Sequence, residues 1–228
     1  MRRAILMSTL LLATLVAAPA AAAPAAGAQF RYWDFSDGEA MRDVLAYVAP
    51  GPFHVQLEYW DFERGEDQFR PEFGLHFRDR RRSSYDVAWR HERYAERFFL
   101  ETGQVIGSRW VARAAVSPIV TDDETLVVGE VGADVYWHSY SFAGVTVIRD
   151  PREDGLWVVP MRARFANESN DWFQVTVAPA SRRTIGWAAD AKLRFVRLGV
   201  ERNSRFDFTT RDNVIFTAGI EVPLPARP

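Results

Sequence analysis

Apolar and polar residues alternate along most of this chain in short runs that end at turn residues. The clearest run is Asn213 to Leu224, in which every even-numbered residue from Val214 onward is apolar, whereas the odd-numbered residues are mostly polar or small. Alternation with a period of two predicts a β-strand that has one apolar and one wetter face. The run is also long enough to cross a hydrocarbon layer at a tilt, which takes about 9–11 residues.

Similar runs fill the chain from Gln29 onward, with no amphipathic helix, internal repeat, linker or second domain between them. Counting them predicts about 12 strands within a range of roughly 10–14. In the run from Phe53 to Tyr59 the apolar face slips near Trp60, which predicts a β-bulge there.

Charged residues keep to one face of these strands. Arg162 and Arg164 share a parity, whereas the other parity from Trp157 to Phe165 carries no charge. An arginine that faces lipid at mid-depth costs about 2–4 kcal/mol, so in a membrane the charged parity has to line a lumen. We therefore predict an all-β fold, a single antiparallel up-and-down transmembrane β-barrel, which the strand Asn213 to Leu224 closes. A soluble periplasmic β-barrel or sandwich that binds a small apolar ligand or a protein partner is the alternative, because its strands alternate as well.

The N-terminus has the layout of a secretory signal peptide. Arg2 and Arg3 precede a nearly unbroken apolar run from Ala4 to Ala18, and small residues follow as far as Ala28. This layout predicts cleavage before Gln29, which gives a signal peptide of residues 1–28 and a barrel domain of residues 29–228. The predicted location is the outer membrane, and the predicted partners are outer-membrane lipids. The chain has no cysteine, so disulfides and a lipid-modified N-terminal cysteine are excluded.

The overall charge gives no sign of a nucleic-acid partner. Lysine and arginine total 28 and aspartate and glutamate total 30, a formal net charge of −2. Proteins that bind nucleic acids usually carry a basic patch or stripe, which this balance does not provide. The sequence does not predict an oligomeric state.

The chain resembles outer-membrane β-barrels of the YaiO-like kind in its opening and closing segments and in its hairpin-rich Arg/Trp/Tyr strands. The opening FRYWDFSDG (Phe30 to Gly38) and the closing LRFVRLGVERNSRFDF and DNVIFTAGIEVPL carry the resemblance, which covers most of residues 29–228. It implies an outer-membrane barrel without established catalytic residues. The last strand also resembles the signal that the barrel-assembly machinery reads, and this implies that the machinery is a partner. The residues that match this signal are Thr217, Gly219, Val222 and Leu224. Such barrels commonly end on an aromatic residue, whereas this chain continues from Pro225 to Pro228.

The polar parity supplies a set of candidate lumen-facing residues. These are Arg70, Glu72, His76, Glu130, Asp134, His138, Arg162, Arg164, Asp190, Lys192 and Arg194. Their arginines suggest a porin-like path for anionic solutes or glycans such as acidic oligosaccharides. Carboxylates accompany them, so the same set can instead ion-pair into a plug, and a barrel of this size lies between filled and open ones. The function predicted from the sequence is therefore structural or transport.

A barrel enzyme that modifies lipid or lipopolysaccharide is the remaining alternative. His54, His76 and His138 share the polar parity, and a histidine with a serine and a carboxylate can form a hydrolytic triad. No G-x-S-x-G motif occurs, and no two histidines have close metal-ligand spacing. We therefore expect no enzymatic activity, no cofactor and no metal.

Overall fold

The computed structural model describes residues 25–78, 83–138, 140–153, 155–169, 171–181, 185–203 and 212–224. Most of the predicted signal peptide and the segment from Pro225 to Pro228 lie outside these ranges. The first described strand begins at Ala25, so the last four residues of the predicted signal peptide belong to a strand.

Fifteen strands and one short 3-10 turn, Pro151–Glu153, make up the regular structure of the described residues. The strands are β1 (Ala25–Phe35), β2 (Ala40–Ala49), β3 (Phe53–Phe62), β4 (Gln68–Arg78), β5 (Ser84–Glu92), β6 (Ala95–Ile106), β7 (Trp110–Val120), β8 (Thr125–Tyr136), β9 (Phe142–Asp150), β10 (Leu156–Val158), β11 (Met161–Ala166), β12 (Trp172–Ala178), β13 (Gly186–Leu193), β14 (Val196–Arg202) and β15 (Asn213–Pro223).

These strands form one closed antiparallel sheet. Apart from β10 and β11, strands that follow one another in the chain are neighbours in the sheet, and β15 pairs with β1 along its whole length, so the sheet closes on itself. β10 and β11 both pair with β9 in a single register, and Pro160, which has no N–H to donate, interrupts the strand between them. The two segments therefore form one strand, and the barrel wall has fourteen strands.

The predicted all-β, antiparallel, up-and-down barrel is confirmed, with fourteen strands rather than about 12. Two hairpins join their strands by two-residue turns that lack glycine and proline, Arg93-Tyr94 and Arg194-Phe195. Because neither turn contains glycine or proline, the sequence marks each one only by a switch in which alternate residues are apolar. The boundary between two strands is then easily missed. The predicted bulge near Trp60 is wrong, because β3 pairs with β2 and with β4 in one continuous register through that residue.

The barrel turns its apolar face outward. Large apolar side chains such as Phe73, Leu198 and Ile220 are exposed on the outer surface, whereas charged side chains such as Arg70 and Asp134 are buried on the inner one. A soluble β-protein packs its apolar side chains into a core and exposes the polar ones, so this distribution is the reverse of the soluble alternative.

The two rims of the barrel differ in their inner surface. Ala25 and Pro223, at the start of β1 and the end of β15, are paired at one rim, which we call the terminal rim. Pro223 therefore lies at the end of its ladder, where a missing N–H is tolerated. At the opposite rim many of the inward side chains are apolar and buried, and we call these apolar side chains the distal collar. The collar consists of Trp33, Phe35, Met41, Trp60 and Ile215, then Ile119, Val128 and Ile148, and finally Leu156, Val158 and Ala178.

Candidate functional site in the lumen

A chain of ion pairs runs along the inner wall from β1 to β5. Arg31 pairs with both Asp43 and Glu58, and Arg70 pairs with Glu58 at 3.2 Å and with Glu92. The four residues Arg31, Asp43, Glu58 and Arg70 are buried. Because each carboxylate faces a guanidinium on a neighbouring strand, the charges lose their solvation without being left unpaired.

The Arg70 guanidinium also lies 3.8 Å from the centroid of the Trp60 ring. Trp60 belongs to the distal collar, so this cation–π contact joins the charged middle of the wall to its apolar end.

Two histidines, His54 and His76, lie on the inner face between these ion pairs and the terminal rim. Glu72 accepts a hydrogen bond from Arg90 Nε at 2.7 Å and lies 3.1 Å from His54 Nε2. His76 Nδ1 lies 2.5 Å from an Asp86 oxygen. Each histidine therefore faces a carboxylate on a neighbouring strand, and among the described residues no serine hydrogen-bonds to either ring.

Asp134 holds arginines from two other strands. Nη2 of Arg113 and Nη2 of Arg162 donate to Oδ1 of Asp134 at 3.2 and 3.3 Å. Asp134 is on β8 and Arg162 on β11, so the ion pair crosses β9, where Gly144 is the residue in register with both. A Cβ at Gly144 would collide with the Asp134 carboxylate, so glycine leaves the space for this crossing.

Aromatic rings surround the next arginine along the wall. Arg164 Nε donates to Gln174 Oε1 at 2.9 Å, and its guanidinium lies 4.3 Å from the Trp172 ring centroid. Beyond Trp172, Arg197 Nη2 donates to Asp190 at 3.3 Å.

Near the terminal rim, Lys192 on β13 pairs with Glu221 on β15. Glu221 also accepts a hydrogen bond from the Tyr47 hydroxyl at 2.6 Å. Because Tyr47 is on β2, this contact spans the junction at which β15 closes onto β1.

Nine of the eleven candidate lumen residues lie within strands on the inward face. They are Arg70, Glu72, His76, Glu130, Asp134, Arg162, Arg164, Asp190 and Lys192. His138 and Arg194 lie instead in exposed turns at the terminal rim, after the ends of β8 and β13.

The turn at Arg194 is tied to its neighbour by Asp171. The Arg194 backbone N–H donates to Asp171 Oδ1 at 2.5 Å, and the Asn167 side-chain amide donates to Oδ2 at 3.2 Å. These hydrogen bonds stabilise the carboxylate and hold the pKa of Asp171 below its ordinary value.

The candidate set omitted Arg31, Asp43, Glu58 and Arg113, although all four pair with charged residues of the inner wall. Their position on the alternating pattern was the available signal. In β2 this signal is weak, because Asp43 lies on the same face as the apolar residues Met41 and Leu45. The apolar distal collar mixes apolar residues into the inner face, so polarity alone does not separate inside from outside.

No helix within the described residues is long and apolar enough to span a membrane. The described residues likewise contain no group of three or more His, Cys, Asp or Glu side chains that could hold a metal ion.

Exposed aromatic side chains ring the outer surface near both rims. Phe53 and Trp110 begin strands at the terminal rim, and Phe69 and Trp157 lie at the starts of strands at the distal rim. Between them the outer face is apolar, which matches the lipid-facing band and interfacial girdles of membrane barrels. The fold and these surfaces define the class as a transmembrane β-barrel.

Solved structures of this class resemble the chain in fold. The KdgM porin superposes with a TM-score of 0.53 at 8% identity, covering 87% of this chain and 99% of that one. The outer membrane protein Omp33 of Acinetobacter baumannii gives 0.53 at 11% identity, covering 91% and 100%. A mutant of the Rh. blastica porin gives 0.50 at 8% identity, covering 87% and 99%. No protein-family model and no curated protein matches the sequence.

Proposed function

We propose that this protein is an outer-membrane, porin-like barrel through whose lumen small hydrophilic solutes cross. The observation that carries the proposal is the reversal of faces on a closed fourteen-strand wall, with an apolar exterior and a charged interior. The fold that it shares with porins supports the proposal only as an analogy, because one fold serves several functions.

The direction of the ion pairs supports a lumen that holds water. Each of these ion pairs joins strands that are adjacent or two apart in the sheet. The arginines concerned are Arg31, Arg70, Arg90, Arg113 and Arg162. They therefore brace the wall and do not cross the interior. Barrels of about 8 strands are filled by their side chains and those of 16–18 hold an aqueous channel, so fourteen strands favour a narrow channel.

Export, assembly and family membership are parts of the same proposal. A signal peptide of residues 1–28 would direct the chain to the Sec pathway, and the barrel-assembly machinery would then insert it among outer-membrane lipids. In β15, Thr217 and Gly219 face inward and Val222 faces outward, and Leu224 follows the strand. The YaiO-like resemblance is compatible with this architecture.

Membrane fractionation of a Gram-negative host, combined with electrophoresis of unheated and boiled samples, tests the location and the fold. The protein is expected in the outer-membrane fraction and should migrate faster before boiling, because a folded barrel is compact. A protein found in the periplasmic fraction, with the same migration before and after boiling, would contradict the proposal.

Swelling of proteoliposomes in sugars of increasing size then tests the transport role. Swelling is expected with small sugars and should stop as the sugar grows. A heat-modifiable outer-membrane barrel that admits no sugar would have a structural role instead.

A further inference from the structure

Arginines and aromatic rings alternate along the lumen wall from β9 to β14. Arg162 lies 5.5 Å and Arg164 lies 5.4 Å from the Phe142 ring centroid. Trp172 then follows, 4.3 Å from Arg164 and 5.6 Å from Arg197. We call these five residues the arginine ladder. All five share the inward face of their strands.

Arg164, in the middle of the ladder, differs from its neighbours in its partners. Its Nε donates to the neutral Gln174, and among the described residues no carboxylate lies within ion-pair distance of it. Its Nη groups donate to no described residue and are not among the buried polar atoms. The face of the guanidinium is held by two rings, while its amino edge stays accessible.

The other arginines in and beside the ladder pair with carboxylates, whereas Arg164 pairs with none among the described residues. Arg113 and Arg162 share the carboxylate of Asp134, and Arg197 pairs with Asp190. Arg164 therefore adds a positive charge that no ion pair of the described residues neutralises, while Glu130 and Glu201 lie on the inward faces of β8 and β14. Such a charge attracts anions, and attracts them more strongly where the surrounding wall has a low dielectric constant.

We propose that the arginine ladder is a binding site, centred on Arg164, for a carboxylate or phosphate group of a solute in the lumen. A guanidinium offers two parallel N–H donors that match the oxygens of either group. Trp172, Phe142 and Gln174 hold Arg164 in place, so little side-chain entropy is lost on binding. The inference rests on the proposed water-filled lumen, through which the anion reaches the site.

Chemical modification of arginines detects anion binding at the site whether or not the barrel conducts ions. The purified protein in detergent is treated with phenylglyoxal, which attacks guanidinium groups, and the modified positions are mapped by mass spectrometry. Arg164 is expected to react, and inorganic phosphate or acetate at constant ionic strength should slow its reaction about fivefold, as expected for a charge-assisted complex. Glucose, which carries no charge, should give no protection.

Two other arginines serve as controls in the same sample. Arg70, which is 2% exposed and has two carboxylate partners, should not react. Arg42 is outward-facing and exposed, and it should react at a rate that neither anion changes. Protection by phosphate alone identifies a phosphate site, and protection by acetate as well identifies a site for either group. Equal protection of Arg164 and Arg42, or none at Arg164, would overturn the proposal.

Ion selectivity provides a second readout. Arg164→Gln is expected to lower the ratio of anion to cation permeability, whereas Arg149→Gln, which removes an exposed outward-facing arginine, should leave it unchanged. If the protein conducts and both variants keep the wild-type ratio, the site is wrong although the pore is right. If the protein does not conduct but phosphate protects Arg164, the site stands and the proposed pore is wrong.

Discussion

Arg31 and Arg42 lie on neighbouring strands, and they show how differently one residue type behaves on the two faces of this barrel. Arg31 points inward and is 4% exposed between Asp43 and Glu58. Arg42 points outward, 3.5 Å from Asp61, with its side chain 67% exposed. A buried charge that loses its partner keeps its desolvation penalty, whereas an exposed one is solvated by water.

Arg31→Met is therefore expected to lower the free energy of unfolding by about 3–5 kcal/mol, because it leaves two buried carboxylates without this partner. Arg42→Met is the matched control and should change it by about 0–1 kcal/mol. Urea titration of the two variants in lipid vesicles measures both values. Equal losses in the two variants would show that the inner ion pairs do not stabilise the wall.

At the terminal rim, the hydrogen bonds of Asp171 predict that the stability of the fold depends on pH. Its pKa in the folded protein is lowered because the Arg194 N–H and the Asn167 amide donate to its carboxylate. A group whose folded pKa is depressed stabilises the fold above its unfolded pKa of about 3.9 and loses this contribution as the pH falls through the folded value. Asp171→Asn should thus be less stable than the wild type at neutral pH, and the difference should vanish in acid.

The midpoint of thermal unfolding between pH 7 and pH 2 measures that difference. Asp123→Asn, in the exposed loop between β7 and β8, is the control that should follow the wild type at every pH. A gap between Asp171→Asn and the wild type that stays constant with pH would mean that the charge of Asp171 does not tie the two turns together.

Among the strands, β9 allows its neighbours on either side to interact. Gly144 leaves room for Asp134 of β8 to meet Arg162 of β11, and a Cβ at this position would occupy the space of the Asp134 carboxylate. Gly144→Ala is expected to destabilise the barrel by roughly 1–3 kcal/mol, the usual cost of overpacking.

A double-mutant cycle isolates the cause. Gly144→Ala and Arg162→Gln should be non-additive, because both changes remove the same ion pair. Gly129→Ala adds a methyl group where no atom lies within 4 Å, so its stability should match the wild type. Additive effects of Gly144→Ala and Arg162→Gln would contradict the role of β9 as the crossing point.

The strands also show what could be predicted from the sequence. In β15 and β11, alternation alone predicts the strand and its charged face, because their large apolar residues face lipid apart from Ile215 at the start of β15. In β1, β2 and β3 it predicts the strands but not the inner face, because Trp33, Met41 and Trp60 point inward beside charged residues. The arginine ladder was only partly predictable, since its rings and cations come from strands that alternation cannot place side by side.

For the barrel as a whole, the distal collar is the part of the inner surface where apolar side chains pack together in the described part of the chain. Trp33 is 0% exposed and packs with Phe35, Met41, Trp60 and Ile215. A hydrophobic constriction hinders ions more than its width implies, because water leaves it readily. Shortening an inward tryptophan should therefore widen and wet the path.

Trp33→Ala is expected to raise single-channel conductance. Trp157→Ala removes an exposed tryptophan from the outer face at the same rim and is the matched control, with unchanged conductance. Electrophoresis before and after boiling verifies that both variants are folded. Folded Trp33→Ala barrels with the wild-type conductance would show that the collar does not limit the path.

The most direct test of the central claim, a water-filled channel inside a membrane-spanning barrel, is single-channel recording of the purified protein in a planar lipid bilayer. The account predicts discrete conductance steps that grow with salt concentration and favour anions over cations. A folded, membrane-inserted protein that gives no steps at any voltage would contradict it.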